Sequence, residues 1–313
     1  MSRLLTLTVG NDTFTQGLGA DNIAIQINAL AGNDIINLNR SDDLGGDNVV
    51  DAGAGNDTVI NHREFGNLTA LGDGNDTYVG LGFDSFSSDP FDQVLGGTGN
   101  DRFFVQTFGS RYFGEAGNDS FFSVGWKNTF HGGDGADSIS YLPRDDDFTQ
   151  GGTGVLINLA AGFAQTGAIA RETLISIESA TGTSQNDTII GSSVGNRLTG
   201  GLGFDLMVGG AAADAFVFNS TTEAPILAGA VDRIADFQHA QGDRVDLRAI
   251  DAETNLAGDQ AFHFIGGAGF GRDAGELRFS AGFLIGDVNG DGVADFRILM
   301  SGVAALVQTD IFL

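Results

Sequence analysis

Gly96-Gly-Thr-Gly-Asn-Asp-Arg-Phe-Phe104 sets three glycines and an Asn-Asp pair ahead of two phenylalanines, and Gly132-Gly-Asp-Gly-Ala-Asp-Ser-Ile-Ser140 repeats its form. Outward from these two, Gly-Asn-Asp or a close variant recurs with Asp at 12, 21, 34, 47, 57, 76, 84, 92, 101, 119 and 137. It returns at 187, 205 and 214, with Asn196 in the slot between the first two. The interval settles at 18 for 101–119–137 and at 9 for 187–196–205–214. Two residues after these fifteen positions stand Phe14, Ile23, Ile36, Val49, Val59, Tyr78, Phe86, Val94, Phe103, Phe121, Ile139, Ile189, Leu198, Met207 and Phe216, all large and apolar. Glycine-rich turns alternating with very short strands, each sending one apolar side chain inward, describe a solenoid of stacked coils. Such strands are too short to stand alone, so each coil needs its neighbours. The expected class is all-β, a parallel β-solenoid.

Composition points the same way. The chain has 313 residues, no cysteine, 41 acidic and 15 basic residues, for a formal charge of −26. Of the acids, 34 are Asp and 7 are Glu. A solvated helical face would use Glu freely, whereas Asp with Gly belongs to turns and to oxygen-rich cation loops. The 42% hydrophobic fraction and 25 phenylalanines argue against a disordered acidic polymer. The charge opposes unaided binding to nucleic acid, and no stretch nears the roughly 20 apolar residues of a membrane helix. Absent cysteines exclude disulfides and thiol chemistry. Met1-Ser-Arg-Leu-Leu-Thr-Leu-Thr-Val-Gly carries no charged-then-apolar signal and no cleavage site, so export through an N-terminal signal is not expected.

Stacked turns of this kind call for a cation. Rows of carboxylates at about 5 Å spacing repel one another. A hard divalent ion takes six to eight oxygens at flexible distances, which Asp and glycine-turn carbonyls supply. Roughly ten shared Ca²⁺ sites would neutralise most of the charge, whereas Mg²⁺ demands a tight octahedron and transition metals favour the His and Cys that are scarce here. The expected ligands are Asp34, Asp57, Asp76, Asp84, Asp101, Asp119, Asp137, Asp187, Asp205 and Asp214, with the backbone of Gly97 and Gly99. Asp47 and Asp92, in less glycine-rich settings, read as plain turns. Ser110 and Asn128 fall halfway along the 18-residue steps, so in that stretch cations are expected along one edge and neutral polar turns along the other.

The two nonapeptides resemble those of repeats-in-toxin (RTX) proteins, whose pattern is G-G-x-G-x-D-x-U-x with U large and apolar. The resemblance implies a parallel β-roll binding Ca²⁺ through turn carbonyls and the Asp, and carries over best to Asp57, Asp76, Asp101, Asp119, Asp137 and Asp205. Gly10-Asn-Asp12 and Ala31-Gly-Asn-Asp34 depart from it, lacking the leading glycine pair.

The expected organisation is an irregular then regular solenoid over 1–140, a β connector over 141–181, a second repeat block over 182–220 and a C-terminal β domain over 221–313. In the connector, Arg144-Asp-Asp-Asp147 reads as a solvated loop tip rather than a catalytic carboxylate cluster. Val231-Asp-Arg-Ile-Ala-Asp-Phe237, Gly242-Asp-Arg-Val-Asp-Leu247 and Gly286-Asp-Val-Asn-Gly-Asp-Gly-Val-Ala-Asp-Phe296 together resemble the C-terminal domain of serralysin-type metalloproteases. The last offers Asp287, Asn289, Asp291 and Asp295 as a further Ca²⁺ site, although its twelfth position is Ile298 where an EF-hand has Glu. Thr309-Asp-Ile-Phe-Leu313 resembles the uncleaved signal of type I secretion substrates, which implies the type I machinery as a partner and a secreted bacterial protein.

No catalytic constellation accompanies these features. His62, His131, His239 and His263 are isolated and no H-E-x-x-H exists. Gly191-Ser-Ser-Val-Gly195 matches a G-x-S-x-G string, but a nucleophile elbow needs a helix after it and the nine-residue register continues instead. Gly267-Ala-Gly-Phe-Gly271 lacks the helix of a phosphate loop. The expected function is a calcium-folded, non-enzymatic component of a surface layer, adhesive coat or matrix, acting as a homo-oligomer or lattice, with cell-surface glycan as a further partner. Phenylalanine tracts at 83–86, 103–104 and 121–122 could supply lateral contacts or fill the core. The alternatives are an enzyme acting on extracellular polysaccharide, which would need carboxylates outside the register such as Asp42-Asp43 or Asp145–Asp147, and a small secreted toxin or bacteriocin-like factor.

Overall fold

A computed structural model describes residues 3–16, 24–39, 46–62, 66–82, 91–124, 126–146, 152–167, 170–226 and 230–313. The expected ligand Asp84 lies outside the described residues, as do Asp21, Asp42-Asp43, Asp147 and the tract 83–86. The chain divides into two compact units, 1–147 with 162–177, and 148–161 with 178–313.

The first unit has the β-solenoid architecture expected from the repeat. One sheet stacks Thr13–Thr15, Ile35–Asn39, Thr58–His62, Thr77–Leu81, Arg102–Val105, Ser120–Ser123 and Ser138–Ser140, all parallel. The other stacks Arg3–Thr6, Ile25–Asn28, Val49–Asp51, Leu68–Asp73, Gln93–Thr98, Arg111–Ala116, Thr129–Asp134 and Arg171–Ile175, again parallel, and ends on the antiparallel Phe163–Gln165. Strand period two decides which side chains face inward. Ile36, Val59, Tyr78, Phe103, Phe121 and Ile139 share one register row, all fully buried. Phe103 stacks on Phe121 at 4.8 Å, and Tyr112 on Phe130 at 5.5 Å in the facing sheet. The core is therefore two ladders of like side chains meeting face to face. Phe104 and Phe122, one residue out of phase, stack at 4.7 Å on the outer surface beneath Arg102. Each phenylalanine pair thus sends one ring to the core and one outside.

Val49 departs from the expected rule, being 39% exposed while Val50 is buried. Asn48, not Asp47, occupies the turn position there, so the strand's inward phase shifts by one residue.

The second unit stacks Leu156–Asn158, Thr188–Ile190, Leu206–Val208, Asp232–Ile234 and Phe296–Met300 in parallel, then turns antiparallel through Phe283–Asp287 and Glu276–Ser280. Its second sheet runs Ser179–Thr181, Arg197–Thr199, Ala215–Val217, Arg244–Asp246 and Ile311–Phe312, all parallel. The chain's final residues are thus the last strand of that sheet. Asp246 fixes this end: Arg248 and Arg197 both bond its carboxylate and hold it far below the usual carboxylate range, while Arg248 lies over the Phe312 ring at 4.8 Å. Among the described residues no helix is long and apolar enough to cross a membrane.

Candidate metal centre

Each repeat Asp reaches back to the turn before it. The backbone N–H groups of Asp34, Asp57, Asp76, Asp101 and Asp119 donate to Oδ1 of Asp57, Asp76, Asp101, Asp119 and Asp137 respectively, at 2.7–2.8 Å. An opposed ladder runs beside it, with Asn56, Asn75, Asn100 and Asn118 N–H donating to Oδ1 of Asn33, Asn56, Asn75 and Asn100. The Asn-Asp pair of the repeat thus locks each turn to both neighbours. One oxygen of each Asp is consumed in this way.

The other oxygen is not. Oδ2 of Asp34, Asp57, Asp76, Asp101, Asp119, Asp205, Asp214 and Asp232 is buried with no hydrogen-bond partner. Leaving one buried carboxylate oxygen unmet is costly, and a row of them requires a ligand common to every turn. Beside Asp101, Asp119, Asp205 and Asp214 the space is kept by glycine, while Ala29, Ala52 and Leu71 hold the same slot before Asp34, Asp57 and Asp76. A Cβ on Gly114 would strike Oδ2 of Asp119 and come within 2.6 Å of the Gly132 carbonyl; one on Gly96 would meet Oδ2 of Asp101 and the Gly114 carbonyl, the latter at 2.5 Å. Where the repeat opens on glycine, as at Gly96 and Gly114, that residue leaves a cradle between a carboxylate oxygen of its own turn and a carbonyl of the next. Gly97 and Gly99, at φ 112° and 123°, serve a related purpose, since a Cβ on either would strike the carbonyl of Gly72 or Gly74 one coil earlier. A carboxylate and several carbonyls without nitrogen or sulfur is the donor set of Ca²⁺. The residues present fit that ion. Among the described residues no three His, Cys, Asp or Glu side chains converge, so each site would draw chiefly on backbone oxygen.

Electrostatics give the same answer. Burial lifts Asp101 to about 7, against the backbone N–H of Asp76, with Asp76, Asp119 and Glu115 adding repulsion. Burial also raises Asp205 to about 8, with Asp232, Asp187 and Glu223 as the repelling neighbours. Asp57, Asp76 and Asp214 rise to about 6 and Asp232 to about 7, burial leading in each. A cation beside these groups reverses the balance and holds them ionised.

The opposite edge of the first unit needs no ion. Asn48 Oδ1 accepts from the Ile25 N–H, Asn67 Oδ1 from the Asn48 N–H and amide, Asp92 Oδ1 from the Asn67 N–H and amide, and Asn128 Oδ1 from the Ser110 N–H. The series ends at Glu172, fully buried, which accepts from Ser123, Asn128 and Tyr141 at 3.0, 3.1 and 2.8 Å. Burial raises Glu172 to about 7 despite these bonds and nearby Arg144. Asp92 belongs to this edge rather than to the carboxylate ladder.

Several expected positions behave differently. Asp187 spends its carboxylate on the N–H groups of Val155 and Thr183 and on the Thr183 hydroxyl. Asp287 accepts from the N–H groups of Asn289, Gly290 and Gly292, and Asp295 accepts from Val288 and from the Asn289 amide, so the loop 287–295 is braced by its own donors. Asp291 there caps the N–H of Val293. Arg144 is no solvated tip: it is 2% exposed and donates to the Thr166 carbonyl at 2.6 Å, while Asp145 and Asp146 beside it are exposed. Gly191–Gly195 leads into the strand Arg197–Thr199, not a helix, and Asn196 Oδ1 accepts from the Ser192 N–H.

Two ladder members escaped the sequence reading. The Asp205 N–H donates to Asp232 Oδ1 and the Asp214 N–H to Asp243 Oδ1, at 2.7 and 3.1 Å, so both edges of the second unit carry the carboxylate ladder one coil past the last nonapeptide. Neither Asp232 nor Asp243 has the glycine pair before it, but the echo survives as Ile234 and Val245, each two residues on and fully buried.

Residues 127–141 match the RTX calcium-binding nonapeptide repeat, and residues 157–313 match the family described as Peptidase M10 serralysin C terminal. Neither is a protease domain. No curated protein matches the chain. The stacked glycine–Asp turns are the part that the first description names; the chain carries RTX calcium-binding nonapeptide repeats, and it belongs to the serralysin C-terminal family.

Proposed function

We propose that this protein is exported through the type I route, folds on calcium outside the cell, and serves there as a non-enzymatic structural or interaction component of the bacterial surface or matrix. The observation that carries the reading is the row of buried, unpartnered Asp oxygens, repeated at turn after turn. In a calcium-poor cytosol these carboxylates oppose stacking and keep the chain threadable; at extracellular calcium, binding free energy becomes folding free energy. The solenoid then offers long sheet faces as its working surface, and the strand after Gly195 gives no support to a nucleophile elbow at Ser193.

The test is a calcium titration of the depleted full-length protein with light scattering and sedimentation recorded beside circular dichroism. Folding accompanied by growth into filaments or lattices supports the structural reading. Folding to a stable monomer that binds no surface material contradicts that part and leaves calcium-driven folding standing.

A further inference from the structure

One face of the second unit has a charge opposite to that of the chain. In the sheet formed by Glu276–Ser280, Phe283–Asp287, Phe296–Met300 and Asp232–Ile234, Arg278 stands opposite Ile285, and Ile285 opposite Arg297. In the next row Leu299 lies between Phe283 and Arg233. Strand alternation sends Leu277, Leu284, Ile298 and Ile234 to the core, and leaves Arg278, Ile285, Arg297, Phe283 and Leu299 half-exposed and Arg233 exposed on the other side. The acids at these strand ends, Glu276 and Asp287, are buried. Three guanidinium groups thus share an outer face with apolar residues and no exposed strand carboxylate, in a chain of charge −26.

These arginines are held in place. Arg278 lies over Phe270 and Arg297 over Phe283, each at 5.5 Å, and Arg233 Nε donates to the Ser301 hydroxyl at 2.7 Å. Arg278 has no carboxylate partner among the described residues. Two strand steps separate Arg278 from Arg297, about 10 Å across a flat surface.

We propose that this face docks an anionic polysaccharide, with carboxylates on Arg278, Arg297 and Arg233 and sugar rings lying over Phe283, Ile285 and Leu299. Charge complementarity selects the class. A dense polyanion such as duplex DNA, one charge per about 1.7 Å, is repelled by the rest of the molecule before local contacts form. A polymer with one carboxylate per disaccharide presents sparse charges that guanidinium forks can meet singly, and its apolar ring faces suit the residues between. The inference rests on the extracellular reading above and names the glycan class for it.

The test uses the full chain in millimolar calcium, a short hyaluronan oligosaccharide and, as neutral control, a dextran oligosaccharide, followed by calorimetry. Hyaluronan binding should weaken with added salt and fall at least about tenfold in R278Q/R297Q, the loss expected for removed charge-assisted pairs, while R102Q in the first unit retains it. Circular dichroism of each variant verifies the fold. Binding absent, equal for dextran, or unchanged in the double variant overturns the proposal, as does arginine-dependent self-association in place of glycan binding. A chain that does not fold in calcium defeats the underlying reading; one that folds and ignores hyaluronan defeats this inference alone.

Discussion

The backbone N–H of Asp101 donates to Oδ1 of Asp119 at 2.8 Å, one coil along, while Oδ2 of Asp119 is buried with nothing to accept from. One carboxylate thus both sets the register between coils and presents an oxygen that the polypeptide itself leaves unmet. The stack can be assembled by its own hydrogen bonds but is electrostatically incomplete without a cation.

Asp119→Asn separates the two tasks. The amide oxygen can still accept from Asp101, but an NH₂ donor replaces the second oxygen. The variant should lose calcium affinity at the turns flanking 119 and melt lower than wild type in calcium by about 1–3 kcal/mol, the range for one broken buried contact. In calcium-free buffer the order should reverse, because a raised carboxylate has been removed. Melts with and without calcium check this; a variant destabilised equally in both conditions would contradict it.

Gly114→Ala fills the cradle directly. Its Cβ meets Asp119 Oδ2 and the Gly132 carbonyl, so calcium binding at that turn should weaken even though no ligand side chain is lost. Gly152, with open space around its Cβ position, should bind calcium as wild type does when changed to Ala, although its positive φ adds backbone strain. Stoichiometry by calorimetry distinguishes the two.

Acidity should act in opposite directions on the two forms. Without calcium, Asp101 near 7 and Asp205 near 8 bind their protons more tightly folded than unfolded, from an ordinary value of 3.8. Their contribution is fully present below about pH 4 and is lost as pH rises through 7 and 8. The depleted chain should therefore gain structure on acidification from about pH 8 to pH 5, while the calcium-loaded protein loses stability as protons displace the ion. Melting midpoints in the two buffers should cross.

Glu172 tests the other edge, independently of calcium. Its folded value near 7 stands above the ordinary 4.5, so stability is fully present below about pH 4.5 and declines as pH rises through 7. Glu172→Gln should remove that slope in both calcium-loaded and calcium-free protein. Its calcium stoichiometry should match wild type, as measured by calorimetry.

The repeat made the solenoid legible because each coil states its own phase: a turn Asp, then an inward apolar residue two positions later. Where the turn residue and the phase disagree, as at Asp47, Asn48 and Val49, the apolar echo misleads, since Val and Val adjoin and either could face inward. Asp232 and Asp243 were hidden for the converse reason. Their ladder bonds persist after the glycine pair is gone, so the motif ends a coil before the geometry does. Glu172 and Arg144 were beyond reach, because their burial depends on Ser123, Asn128, Tyr141 and Thr166, which are distant in sequence. The arginine face is another tertiary product, assembled from strands at 233, 278 and 297 with no shared local pattern.

The most direct measurement of the central claim is far-ultraviolet circular dichroism of the chelated full-length protein during calcium titration, with magnesium at the same concentrations as control. The account predicts a cooperative gain of β-structure at calcium levels up to the millimolar range and little response to magnesium. A spectrum unchanged by millimolar calcium, or an equal response to magnesium, would contradict it.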